Sequence, residues 1–356
     1  MPGSLKKLQV SDFRCLQNVE LEASPGINLI VGENASGKTS LLEAIFVLGR
    51  GRSFRTAQRQ RLIRDGAEEF LVVGEIAGGP VSRRIGIRAS RGQQEIHIDG
   101  RKAKSIAELG DCLPVDAIDP EIHKLVEEGP ERRRRFLDWG TFHVDQSFLT
   151  AWQRYRTALR QRNALLAQNS LSALAPWDEE LIQSGEALTG LRRRFLQALR
   201  EPVAELGQQL LDSDIKISFR SGWSQKEGLA AALAANLERD AALGRTLAGP
   251  HRAELIIELD SARARSRVSR GQQKLLAACL ILAQLKVLAA QGRPRALLLL
   301  DDPGAELDRR RVGNLLDALA DLDVQLFLTA LDQKSLPDIA DRVFHMEQSG
   351  PRLMLQ

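Results

Sequence analysis

Ile27-Asn-Leu-Ile-Val31 runs into Gly32-Glu33-Asn34-Ala35-Ser36-Gly37-Lys38-Thr39-Ser40, followed by Leu41, Leu42, Ile45, Phe46 and Leu48 at helical spacing. The middle of this stretch matches GxxxxGK[ST], and it stands where that pattern has a mechanism, after an apolar strand and opening a helix. Its glycines let backbone N–H groups wrap phosphate oxygens, and the start of a helix adds a positive end. Lys38 is expected to reach the β- and γ-phosphates of a nucleotide and Thr39 to ligate Mg²⁺. The competing reading is a strand-turn-helix that carries glycines by chance.

Two further stretches bear on that choice. Ala296-Leu-Leu-Leu-Leu300 ends in Asp301-Asp302, the pattern of a buried parallel strand with acids at its C-terminal edge. Asp301 is expected to hold Mg²⁺, and Asp302 to orient an attacking water with Lys38 as its catalytic partner. Alone, such a run has a second, less favoured reading as a core strand that merely meets solvent. Val268-Ser269-Arg270-Gly271-Gln272-Gln273-Lys274 precedes an apolar helix, an arrangement suited to phosphate or simply an N-capped surface helix. Its order and spacing relative to Asp301 and the turn Ala305-Glu306-Leu307-Asp308 resemble the signature motif of ABC-type ATPases. That resemblance implies that Ser269 and Gly271, with Gln272 beside them, touch the γ-phosphate of a nucleotide held by a second copy.

Outward from these motifs the chain divides by texture. Strand patterns fit Leu5–Val10, Asn18–Glu22, Phe70–Ile76, Ser82–Ala89 and Gln94–Ile98, with a hairpin signal at Asp99-Gly100. Residues 130–211 are almost free of β-branched runs, and two helices are expected over Gln146–Ala167 and Asp178–Leu211. A strand over Asp214–Phe219 and a helix over Lys226–Leu243 follow. Strands and helices then alternate over Glu254–Leu259, Gln272–Gln291, Ala296–Leu300, Arg309–Asp321 and Gln325–Thr329. The expectation is an α/β protein: an ABC-type ATPase head with mixed sheets and a P-loop helix over 1–113 plus 245–356, and an inserted, mostly helical lobe over 114–244.

Several blocks make the resemblance narrower. Asp12-Phe13-Arg14, Leu42-Glu43-Ala44-Ile45, Gly51-Arg52-Ser53-Phe54-Arg55-Thr56, Gly129-Pro130 with Arg132–Arg135, Phe136-Leu137-Asp138-Trp139-Gly140 and Gly249-Pro250-His251-Arg252 are similar to blocks of the RecF family. These are DNA-repair ATPases related to the SMC proteins, and the match spans nearly the whole length. The resemblance implies ATP and Mg²⁺ as ligands, an ATP-dependent homodimer, and binding of double-stranded, including gapped, DNA. It also implies RecO and RecR as partners in loading RecA. Three features depart from the general ABC pattern. Asp302 replaces the usual Glu, Phe327-Leu328-Thr329-Ala330 lacks the switch histidine, and Asp116–Glu121 lacks a convincing Q-loop glutamine. They imply slow hydrolysis used as a switch. The alternatives are an SMC-like structural clamp, disfavoured by the short insertion, and a transporter ATPase subunit, disfavoured by the missing histidine and the absence of transporter-type motifs.

The 356 residues carry a net charge of +4, which permits nucleic-acid binding without proving it. Arg52, Arg55, Arg59 and Arg61 are candidate DNA contacts, with Arg50 and Arg132–Arg135 as further members of a basic groove. Ion pairs with Glu127, Glu128 or Asp138 would compete for them. Arg14 is a candidate nucleotide contact or a surface residue on an edge strand. His251 and Arg252 are either anchors of a packed turn or neighbours of the nucleotide. No apolar stretch approaches the ~20 residues of a membrane span, no signal-type apolar core opens the chain, and Cys15, Cys112 and Cys279 have no metal-ligand spacing. A cytoplasmic location with no membrane partner is the expectation.

Overall fold

The computed structural model describes residues 3–78, 82–264, 268–292, 295–305, 309–333, 339–347 and 354–355. The chain divides into two compact units, Met1–Ile122 with Leu288–Gln356, and His123–Val287.

The first unit has two sheets with one helix between them. Strands β1 (Ser4–Phe13), β2 (Leu16–Glu22), β4 (Glu69–Ala77), β5 (Arg83–Ser90), β6 (Gln94–Ile98) and β7 (Arg101–Lys102) form an antiparallel sheet in the order β2-β1-β4-β5-β6-β7. Burial alternates along β4, as one-face packing requires, and along β1 beyond an irregularity between Leu5 and Lys7. The second sheet has the order β15-β14-β3-β13-β12-β8. It is built from β3 (Ile27–Gly32), β8 (Val115–Ile118), β12 (Ala296–Leu300), β13 (Val324–Ala330), β14 (Arg342–Met346) and β15 (Met354–Leu355). All its pairs are parallel except β14–β15. Every residue of β12 and β13 is buried, the continuous apolar run of a strand covered on both faces.

Helix α1 (Lys38–Arg50) lies in the core shared by the two sheets, and eleven of its thirteen residues are buried. A helix apolar on nearly all sides is a core helix. Gln325 on β13 stitches the sheets together. Its Oε1 accepts from the Leu5 N–H at 2.8 Å, and its Nε2 donates to the carbonyls of Leu5 and Ser24 at 2.8 and 2.7 Å. A short helix, α2 (Ala107–Cys112), packs on α1.

In the second unit a short helix, α3 (Lys124–Glu127), leads into α4 (Pro130–Val144). Helices α5 (Ser147–Ala167) and α6 (Ala175–Leu211) form the anticipated hairpin around a one-turn 3₁₀ segment, Leu171–Ala173. Helix α7 (Gly228–Leu243) packs on both. Strands β9 (Ile215–Arg220), β10 (Glu254–Leu259) and β11 (Ala262–Arg263) make a small antiparallel sheet. This unit is therefore displaced from the expected helical insertion over 114–244: residues 114–122 belong to the first unit, where β8 pairs with β12. The second unit includes 245–287, because β10 pairs with β9 and packs on α4. Helix α8 (Arg270–Ala290) is long and apolar enough to cross a membrane by composition, but 83% of its most apolar window is buried inside the protein. That is the signature of a core helix.

Candidate nucleotide site

The phosphate loop forms where β3 gives way to α1. Gly32 and Gly37 are required there for different reasons. A Cβ on Gly32 would stand 2.4 Å from the carbonyl oxygen of Met346 on the neighbouring strand β14. Gly37 has φ 101°, in the left-handed region that a side chain strains. Ala35 also adopts positive φ, 65°, and the Ser36 N–H bonds to the Glu33 carbonyl at 3.2 Å. Glu33, Asn34 and Ala35 are exposed, whereas Ser36, Gly37, Lys38 and Ser40 are buried.

Lys38 folds back onto its own loop. Its Nζ donates to the Gly32 and Glu33 carbonyls at 2.6 and 2.9 Å. Burial lowers its pKa, opposed by the charges of Asp302 and Asp301. Thr39 Oγ1 lies 3.0 Å from both carboxylate oxygens of Asp301. The two expected metal ligands, 262 positions apart in sequence, are thus in contact. Ser36 Oγ is buried and has no hydrogen-bond partner among the described residues. A buried hydroxyl left without a partner beside these groups fits a loop shaped around a bound phosphate.

Sheet order explains how the acids arrive. Strand β13 lies between β3 and β12, so three parallel strands present their C-terminal ends side by side. The Asp302 N–H donates to Thr329 Oγ1 at 2.9 Å, and that hydroxyl donates to Asp301 Oδ1 at 2.9 Å. Asp302 has φ 46°, left-handed for a residue with a side chain. Thr329 was legible in the sequence only as part of the segment that lacks a histidine.

Ser269 caps α8 in a reciprocal box. Its Oγ accepts from the Gln272 N–H at 3.4 Å, while its N–H and hydroxyl both point to Gln272 Oε1 at 3.1 Å. Ser269 and Gln272 are exposed and Gly271 half-buried. The turn residues Glu306, Leu307 and Asp308 lie outside the described residues.

The expected arginines separate into two groups. Arg52, Arg55, Arg59 and Arg61 are all exposed on the segment after α1, the last two on a 3₁₀ turn, Arg59–Leu62. Arg50 leaves the basic groove: it donates to the Val115 carbonyl at 2.7 Å and pairs with Asp116 at 3.3 Å, and burial lowers its pKa to about 10. Arg133 is buried against Glu254 and the Val126 and Glu128 carbonyls, and Arg134 donates to the Ala253 carbonyl. Arg132 and Arg135 pair one helical turn away with Glu128 and Glu131.

Arg14 is neither a residue of an edge strand nor a free cation. It occupies the β1–β2 turn and grips Glu43 of α1 through two bonds of 2.9 and 2.8 Å. Glu43 is fully buried, also takes the Ser53 hydroxyl, and has Arg55 at 3.5 Å. Sequence reading missed this hub, although an acid inside an otherwise apolar helix was its visible sign. His251 resolves as a packed anchor. Its Nε2–H donates to the Thr246 carbonyl at 3.0 Å, and its Nδ1 accepts from the Tyr155 hydroxyl at 2.5 Å. Arg192 reaches the Pro250 carbonyl in the same turn.

The model of the RecF/RecN/SMC N terminal domain matches residues 4–351. The DNA replication and repair protein RecF of Shewanella loihica is 38% identical over 97% of this chain and 98% of its own. The same protein from Shewanella baltica is 40% identical over the same shares. Among solved structures, the recombination mediator protein RecF with ATP, from the RecFOR pathway, superposes with a TM-score of 0.88 at 28% identity, over 99% of this chain and 98% of that one. The Smc head domain of Pyrococcus furiosus shares the fold alone, with a TM-score of 0.63 at 17% identity. Phosphate loop, acid pair, capping serine and near full-length kinship agree: the chain belongs to the RecF family of ABC-type, SMC-related ATPases.

Proposed function

We propose that this protein is an ATP-operated switch of DNA replication and repair, which dimerises around nucleotide, binds duplex or gapped DNA in that state, and is reset by slow hydrolysis. The observation that carries this reading is the assembled Lys38–Thr39–Asp301–Asp302 array, together with an exposed Ser269 capping box that its own chain leaves facing solvent. Gly32 to Ser40 fit the phosphates of ATP, and Thr39 and Asp301 fit Mg²⁺, which when bound neutralises phosphate charge. Lys38 exchanges its two carbonyl partners for phosphate oxygens, a charge-assisted bond in place of a neutral acceptor. Ser269, Gly271 and Gln272 complete the site on a second copy. Asp302, one methylene shorter than Glu, holds the attacking water less closely, in keeping with slow turnover. RecO and RecR are the proposed partners, RecA loading the proposed outcome and the cytoplasm the proposed location, by kinship with proteins of that pathway.

Arg52, Arg55, Arg59 and Arg61 are the proposed backbone contacts to DNA. Few aromatic residues are available for base stacking, so contact with duplex phosphates is favoured. A duplex titration across a salt series tests this. Binding is expected only with ATP, and Arg59→Ala and Arg61→Ala should each weaken it on every sequence and lower the salt slope by about 1. Affinity indifferent to ATP and salt would refute the reading.

A further inference from the structure

We infer that Thr329 is a positioning residue for ATP hydrolysis, holding the Asp301–Asp302 pair in working geometry from the neighbouring strand. The inference rests on the hydrolysis reading above and adds to it a residue that the site motifs do not contain.

Thr329 is fully buried near the end of β13, among Leu326, Phe327, Leu328 and Ala330. Valine would fill the same volume in such a strand and suits the β conformation as well. The hydroxyl is therefore the distinguishing feature, and both of its bonds go to the acid pair. It accepts from the Asp302 N–H and donates to Asp301 Oδ1, each at 2.9 Å. The first bond meets the backbone where it turns left-handed at Asp302, φ 46°. A non-glycine residue keeps such a conformation when its surroundings over-determine it. Release of that N–H lets the turn relax and the Asp302 carboxylate swing with it. The second bond holds Asp301 Oδ1 independently of Thr39, whose own hydroxyl is 3.0 Å from both carboxylate oxygens. Thr39 is the expected metal ligand, so its bond to Asp301 is one that nucleotide binding redirects. Thr329 has no such second task and keeps its hold throughout the cycle.

Removal of the hydroxyl should slow the chemical step and leave nucleotide binding to Gly32–Ser40 intact. The experiment compares wild type, Thr329→Val, Thr329→Ala, Thr329→Ser and Lys38→Ala. It reads kcat and KM for Mg·ATP hydrolysis, with the affinity for a non-hydrolysable ATP analogue as the control for folding. Val and Ala variants are expected to lose at least tenfold in kcat, with KM and analogue affinity within twofold of wild type, and Ser to restore the rate. Two removals of the hydroxyl, one of equal volume and one smaller, separate its loss from a packing defect. Turnover at the wild-type rate in either variant, or a Ser variant as slow as the Val variant, overturns the inference alone. Equal turnover in wild type and Lys38→Ala overturns the hydrolysis reading and the inference with it.

Discussion

His251 illustrates how a residue with two readings in sequence acquires one in the fold. Its Nε2 must donate, because the Thr246 carbonyl can only accept, so its Nδ1 is the acceptor for Tyr155. Burial lowers its pKa to about 4 from the ordinary 6.5. Between those values the unfolded chain binds a proton that the folded one does not. Stability from this group is therefore complete above pH 6.5 and is lost as pH falls towards 4, by up to about 3 kcal/mol. Thermal melts of wild type should drop in midpoint between pH 7 and pH 5, and His251→Gln should start lower and show a shallower drop. An equal drop in both would remove His251 as its source. At the same scale, Arg14, Arg50 and Arg133 show why arginines in a basic sequence do not sum to a surface. Each is committed to a buried carboxylate or carbonyl, which only the tertiary fold brings within reach.

Among elements, the helical hairpin depends on a buried cation. Arg162 of α5 is fully buried and bonds Asp178 of α6 at 2.6 Å, and Asp240 of α7 and Thr246 at 2.6 and 2.9 Å. Arg162→Ala leaves the fully buried Asp240 without its cation, which should cost about 3–5 kcal/mol. Denaturant unfolding followed in the helical signal should show that loss; a change under 1 kcal/mol would mean that water replaces the guanidinium. Most elements here were legible in sequence. Strands β2, β4, β5 and β6 carry a period of two, β3 and β12 short apolar runs, and α5 and α6 long helix-favouring runs. Those that were missed owe their existence to partners. Strand β8 has four residues and pairs with β12. Helix α4 reads as a charge run broken by Gly140, yet that glycine is there for packing, since a Cβ would stand 2.1 Å from Phe195 Cζ. The phosphate loop was legible because backbone chemistry confines it to one short segment. Thr329 was not, because its role comes from strand order.

For the whole molecule, the sequence reading set the boundary of the second unit at 244, and the contacts extend it to Val287. The pairing of β9 with β10 across a long separation carries no local signal, so composition alone placed that boundary too early. Ser269 thus belongs to a different compact unit from Lys38 and Asp301. If nucleotide is shared between the Lys38 side of one copy and the Ser269 side of another, it binds the dimer more tightly than the monomer. Mass action then makes assembly depend on ATP. The most direct measurement is sedimentation of wild type and Ser269→Arg with and without Mg·ATP, with nucleotide affinity followed in parallel. The account predicts that ATP drives wild type to a dimer, while Ser269→Arg binds ATP and stays monomeric. A Ser269→Arg protein that dimerises with ATP as wild type does would contradict it.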